Sequence, residues 1–309
     1  MFLVKTMAIS LLVFISCLSI GINYTSIENE SEVLVRKNNI KMEKSPACQD
    51  KQWDETKKQM RALKNEEFRK AFEETVEIKR SWESSLSLQL IDETLKEDSQ
   101  LYRDKELFQM RRNAAKKFSD PKLWSEFISS AFWDVVCGTE GEAIKELRKY
   151  RLYNPFYDFV EHVNDFEIVK NEMEKRTERV YVFGNNDSSI HDIDKIHPVM
   201  LVAYAEKFDD QKDTLLWKKC LQNHIDINYH HQGNCLWQKE GGECCEKLKG
   251  VALGEMICDK VSRRLQKNLH GNFGEAVWDV EEKYFMGLPS KWLSKVQQIL
   301  SKLKKYNVI

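Results

Sequence analysis

Residues 119–138 read SDPKLWSEFISSAFWDVVCG, and this stretch decides the fold class. Ser119-Asp120 places capping side chains directly before Pro121, whose fixed φ suits the first turn of a helix. Leu123, Trp124, Phe127, Ile128, Ala131, Phe132, Val135 and Val136 then recur at three- and four-residue intervals. That spacing is the helical period, and the stripe is wide enough to bury against more than one neighbour. Gly138 supplies the stop.

The same grammar repeats on either side. Phe68, Phe72 and Val76 recur at i+4 within a helix expected over residues 52–80, and further helices are expected over 85–96 and 100–118. Glu142 to Leu152 reads as a short helix. Asn154-Pro155 opens a long one carrying Phe156, Phe159, Val160, Val163, Phe166, Val169 and Met173. Beyond the turn signal Gly184-Asn185-Asn186-Asp187, helices are expected over 198–208, 213–225 and 243–270, with a last one beginning at Ser290. Val180 to Phe183 alone has the look of a short strand. Five prolines and twelve glycines in 309 residues also favour long helices over a β-sandwich. The expectation is an all-α, multi-helix bundle-like protein with disulfides. It has a helical subdomain over 48–182 and a cysteine-rich helical subdomain over 183–309.

The N-terminus sets the compartment. Lys5 precedes an apolar run from Met7 to Ile20, the length of a signal-peptide core and short of the roughly twenty residues a membrane span needs. Residues 1–21 therefore read as a signal peptide and 22–47 as a flexible lead, and no later segment approaches spanning length. The mature chain is expected to be secreted and extracellular. Sequons at Asn23, Asn29 and Asn186 are candidate glycosylation sites.

Export makes disulfides the expected fate of the cysteines. Cys48, Cys137, Cys220, Cys235, Cys244, Cys245 and Cys258 remain after Cys17 leaves with the signal segment. Five crowd between 220 and 258, which suggests a local staple, although adjacent Cys244 and Cys245 are too close to bridge comfortably. A zinc site drawn from His224, His230 and His231 among Cys220, Cys235, Cys244 and Cys245 is the alternative. No C-x-x-C pair supports it, and these histidines read as loop and surface residues.

No local signature of catalysis is present: no G-x-S-x-G, H-E-x-x-H, P-loop or dinucleotide fingerprint. The reading is a protein that is not an enzyme, with no catalytic residue, cofactor or metal assigned. Two surfaces stand out instead. Lys260, Arg263, Arg264 and Lys267 share one helix face by spacing, and Lys291 and Lys295 open the final helix. Side by side they would form a basic ridge for an anionic partner, a host protein or a sulfated glycan. The near-neutral overall charge (48 Lys and Arg against 49 Asp and Glu) argues against nucleic acid. Alternatively, Trp124, Phe127, Phe132, Trp133, Phe156, Phe159 and Phe166 would line a pocket for a biogenic amine or lipid, or simply form core.

The signal segment, the charged helical half opening at Cys48-Gln49-Asp50-Lys51-Gln52-Trp53, and the cysteine-rich segment 220–258 together resemble the thirty-four-kilodalton salivary family of culicine mosquitoes. That resemblance covers size and layout and rests on no diagnostic motif. It implies a secreted salivary effector that acts by binding a host immune or haemostatic macromolecule. Long salivary odorant-binding-like carriers share the layout, but their regular cysteine framework is missing from the N-terminal half here. A helical protein exported by a blood parasite is the other neighbour, whose Asn and Lys bias is weak in this chain.

Overall fold

The computed structural model describes residues 66–78, 88–177, 190–267, 280 and 282–305, all inside one compact unit, Trp53–Ile309. The signal segment, Cys48, the three sequons and the expected strand at 180–183 lie outside the described residues. The described chain is helical and shows no strand. Its α-helices are α1 (Glu66–Ile78), α2 (Gln89–Asp98), α3 (Lys105–Lys117), α4 (Pro121–Cys137), α5 (Glu142–Lys149), α6 (Tyr153–Arg176), α7 (Pro198–Tyr204), α8 (Leu215–Ile227), α9 (Glu243–Lys267) and α10 (Ser290–Lys305). No described helix is long and apolar enough to cross a membrane.

Helix α4 is built as its sequence reads. The Asp120 carboxylate accepts from the amides of Lys122 and Leu123, and Pro121 fills the first turn. Gly138 closes the helix at φ +69°, in the left-handed region that glycine tolerates. A Cβ there would meet nothing within 4 Å. Gly138→Ala should therefore lose only backbone energy, about 1 kcal/mol of unfolding free energy in a urea titration.

The apolar stripes meet in two clusters. Phe72, Ile128, Phe132, Phe156 and Val163 belong to the first, together with Ile193 and Met200 from the later chain. Phe166, Met173, Met256, Val261, Trp292 and Val296 belong to the second. Helix α6 runs through both, passing from the first at Val163 to the second at Phe166. The aromatic residues considered for a ligand pocket are mostly core: Trp124, Phe132, Phe156, Phe159 and Phe166 are buried.

Helix α6 packs along α9, its most extensive partner. Two i+4 rows face each other across this pair. Asp158, His162 and Phe166 stand on α6, and Glu255, Asp259 and Arg263 stand on α9. The pairing is antiparallel, because Arg263 meets Asp158 at 3.3 Å and Asp259 meets His162 at 3.1 Å. Helices α7 and α8 form a hairpin. The segment 191–197 enters it, a π-turn over Ala205–Asp209 extends α7, and α8 returns beside it.

The cysteines depart from expectation. Cys137, Cys220, Cys235, Cys244, Cys245 and Cys258 are all free thiols, so no disulfide joins any pair of described cysteines. The packing gives the reason. Cys220 is buried in the first cluster and Cys258 in the second, where its thiol donates to the Phe166 carbonyl oxygen at 3.6 Å. Cys244 and Cys245 are consecutive in the first turn of α9, where neighbouring side chains diverge.

Candidate metal centre

Five of the chain's seven histidines converge where the two apolar clusters meet. His162 comes from α6. His191, Asp192 and Asp194 come from the segment that leads into α7, and His224 from the end of α8. His230 and His231 follow in the loop after α8, and Glu255 and Asp259 lie on α9. His162, His191, His224, His230, Asp192, Asp194, Glu255 and Asp259 are all buried, and His231 is half-buried.

Asp192 sits at the centre, and its two carboxylate oxygens face different ways. Oδ2 looks toward His162 Nε2 at 3.8 Å and His191 Nε2 at 3.4 Å. Asp259 Oδ1 closes this first half-site, 3.1 Å from His162 Nε2 and 3.5 Å from His191 Nε2. Oδ1 looks toward His230 Nε2 at 3.3 Å and His224 Nε2 at 3.7 Å. His231 Nε2 lies 2.8 Å from His224 Nε2, and Asp192 groups with His230 and His231 on one hand and with Asp194 and His224 on the other, which together form the second half-site. The backbone of Asp192 is left-handed, φ +54° and ψ 26°. This conformation costs a non-glycine residue roughly 1–2 kcal/mol, and here it aims the carboxylate between the two histidine groups.

The spacing has a direct meaning. Nitrogen and oxygen ligands at about 2.1 Å from a metal ion stand roughly 3.0–3.4 Å from one another in octahedral or tetrahedral geometry. Neighbouring donor atoms here are 2.8–3.8 Å apart. Asp192 Oδ1 and His230 Nε2 are buried, face each other, and have no hydrogen-bond partner among the described residues. Two imidazole nitrogens directed at each other, as in the His162–His191 and His224–His231 pairs, need a proton or a cation between them.

The far ring nitrogens are held as metal-bound histidines require. His224 Nδ1 contacts Asp194 Oδ2 at 2.6 Å, and Asn228 Nδ2 donates to Asp194 Oδ1 at 3.0 Å. Glu255 Oε1 contacts both His191 Nδ1 at 2.9 Å and His230 Nδ1 at 3.2 Å. One carboxylate therefore orients a histidine of each half-site. Phe166 stacks on the His191 ring, centroids 4.0 Å apart at 5°, and fixes its plane. Glu255→Gln should weaken the hold on an ion in both half-sites by about 10–100-fold, measured by titration with cobalt(II).

Charge points the same way. Asp192, Asp194, Glu255 and Asp259 are four buried carboxylates. Lys195 pairs with Asp192 at 2.9 Å and Lys260 with Asp259 at 3.1 Å, while Arg263 pairs with Asp158. The centre keeps an excess of negative charge that protons or metal cations must balance. Burial works to lower His230, but the carboxylates of Glu255 and Asp192 outweigh it and hold the ring up at about 10. Burial and the nearby Arg263 cation push His162 down to about 3, which keeps it a neutral ligand.

The sequence reading placed His224, His230 and His231 at the surface, and the structure corrects this. The sequence alternative joined these histidines to cysteines, but the cluster's donors are histidines and carboxylates, and no described cysteine belongs to it. His162, His191 and the four carboxylates were not singled out. Their signal was the adjacent His191-Asp192 pair and the gathering of six of the seven histidines between 162 and 231.

Lys260 and Arg263 stand at the partly exposed rim of the centre. Lys291 pairs with Glu246, and Lys295 lies over the Trp292 ring. Glu246 precedes Lys260 by fourteen residues, about 21 Å along α9. Arg264 is half-buried, and the side chain of Lys267 lies outside the described residues.

No family model, no curated protein and no solved structure matches this chain.

Proposed function

We propose that this protein is a metal-dependent hydrolase with a two-ion centre bridged by Asp192. The observation that carries the reading is the division of the Asp192 carboxylate between two sets of buried histidines. Mixed imidazole and carboxylate donors suit iron, manganese, cobalt or zinc. Two such ions a few ångströms apart lower the pKa of a bound water and polarise an ester. The chain's own residues do the rest. Glu255 and Asp194 hold the ligands, and the apolar clusters keep bulk water out. Lys260 and Arg263, partly exposed beside the centre, favour an anionic substrate such as a phosphate ester.

The test is metal content and turnover together. Protein purified without chelator is assayed against bis(p-nitrophenyl) phosphate and p-nitrophenyl phosphate with manganese(II), beside His162→Ala and His230→Ala variants. Turnover that needs metal and falls at least a hundredfold in both variants supports the reading. A folded protein that takes up no metal sinks it.

The expectation of a secreted salivary effector that binds a host macromolecule draws its support from residues 1–21 and the chain layout. Export is independent of what the buried centre does. Binding of an anionic partner through Lys260, Arg263 and Arg264 would be read as salt-sensitive retention on heparin. A carrier role for an amine or lipid would be read as a salt-insensitive rise in the unfolding midpoint.

A further inference from the structure

Helices α7 and α8 carry ligands of the second half-site at one end of their hairpin and a separate buried ionic cluster at the other. At the open end, the segment before α7 brings Asp192 and Asp194 against His224 of α8, with His224 Nδ1 2.6 Å from Asp194. At the closed end, Glu206 lies in the π-turn that extends α7, and Leu215 and Leu216 begin α8. Leu215 and His224 are nine residues apart, about 13 Å along the helix.

Arg112 of α3 occupies the closed end and is fully buried. Its Nε and Nη2 donate to the two oxygens of Glu206 at 2.6 and 2.9 Å. Nη2 also donates to Asp98 Oδ2 at 2.6 Å, and Nη1 to Thr94 Oγ1 at 2.6 Å and the Ile91 carbonyl oxygen at 3.4 Å. All five guanidinium hydrogens are used, which a lysine cannot reproduce. Asp98 in turn accepts from the amides of Leu215 at 2.6 Å and Leu216 at 3.1 Å, tying the same cluster to the first turn of α8. The preceding residue, Arg111, pairs with Asp210 in the hairpin loop, and Tyr102 donates to Asp210 at 3.0 Å.

We infer that Arg112 is a positioning residue for the second half-site. By gripping the end of α7 through Glu206 and the start of α8 through Asp98, it fixes the axial register of the hairpin. That register decides whether Asp194 and Asp192 meet His224. The first half-site shares His191 and Asp192 with the segment before α7 but draws His162 and Asp259 from α6 and α9, so half of its donors do not depend on the hairpin, and none of them is His224. The inference rests on the two-ion reading and makes a selective claim that a general loss of stability would not.

The experiment titrates cobalt(II) into full-length protein and follows its visible absorption. The second half-site is read in the His162→Ala background and the first in the His230→Ala background. Arg112→Lys is expected to weaken the second half-site at least tenfold more than the first. Glu206→Gln leaves Asp98 on α8 intact, should show the same selectivity, and carries the test if Arg112→Lys does not fold. Equal losses in both half-sites, or no loss in either, overturn the inference. If the unmutated protein binds no cobalt, the two-ion reading fails, and hydrogen exchange on metal-free protein decides the register claim. Faster exchange over 220–231 as well as 205–216 in Arg112→Lys upholds it; an effect confined to 205–216 overturns it.

Discussion

Asp192→Asn should empty both half-sites at once. An asparagine keeps the shape but offers one neutral carbonyl oxygen where two charged oxygens face two histidine sets. Loss of one outer partner of a metal ligand costs about 10–100-fold in affinity, and loss of the shared ligand should exceed that in each half-site. The variant should retain its helices by circular dichroism, because its packing volume is unchanged. Elemental analysis should then find less than about a tenth of the unmutated metal content. Loss of one ion only would show that Asp192 serves one half-site, and the other would need a different fourth ligand.

Removing metal should be the second large effect. Without cations, the carboxylates of Asp192, Asp194, Glu255 and Asp259 lie close together, with Lys195 paired to Asp192 and Lys260 to Asp259. Protons on histidine then substitute, which is why His230 is held up at about 10. At a hundredfold excess over the dissociation constant, a bound ion adds roughly 2.7 kcal/mol of stability. For a chain of this size each kcal/mol moves the midpoint by roughly 2–4 °C. Dialysis against a chelator should lower the unfolding temperature by several degrees, and manganese(II) or zinc(II) should restore it. Asp192→Asn should be indifferent to both treatments. A chelator effect of equal size in that variant would place the stabilising ion elsewhere.

The helical framework was legible because its signals are local. Asp120, Pro121 and Gly138 mark the ends of α4 within its own sequence, and Phe156 to Met173 announce α6 by period alone. The hairpin was legible only in part. Residues 198–208 read as one helix, but the α-helix stops at Tyr204 and a π-turn continues to Asp209. Arg112, ninety-four residues earlier, meets Glu206 in that turn, and no local pattern reports such a contact.

The centre was legible least. Its residues run from His162 to Asp259 on five separate segments, so no short motif exists for a sequence reading to catch. His230 and His231, between Asn228-Tyr229 and Gln232-Gly233, look like a polar loop. They become interior only because α6 and α9 pack antiparallel and carry His162, Glu255 and Asp259 to meet them. The expectation of export made disulfides the expected fate of the cysteines. Burial in separate apolar clusters instead leaves Cys220 and Cys258 as core residues.

The most direct test of the account is the metal content of the full-length protein purified without chelator, measured by elemental mass spectrometry beside Asp192→Asn. The account predicts about two transition-metal ions per chain in the unmutated protein and almost none in the variant. A well-folded protein without metal, which stays empty after incubation with iron(II), manganese(II), cobalt(II) and zinc(II), would contradict it.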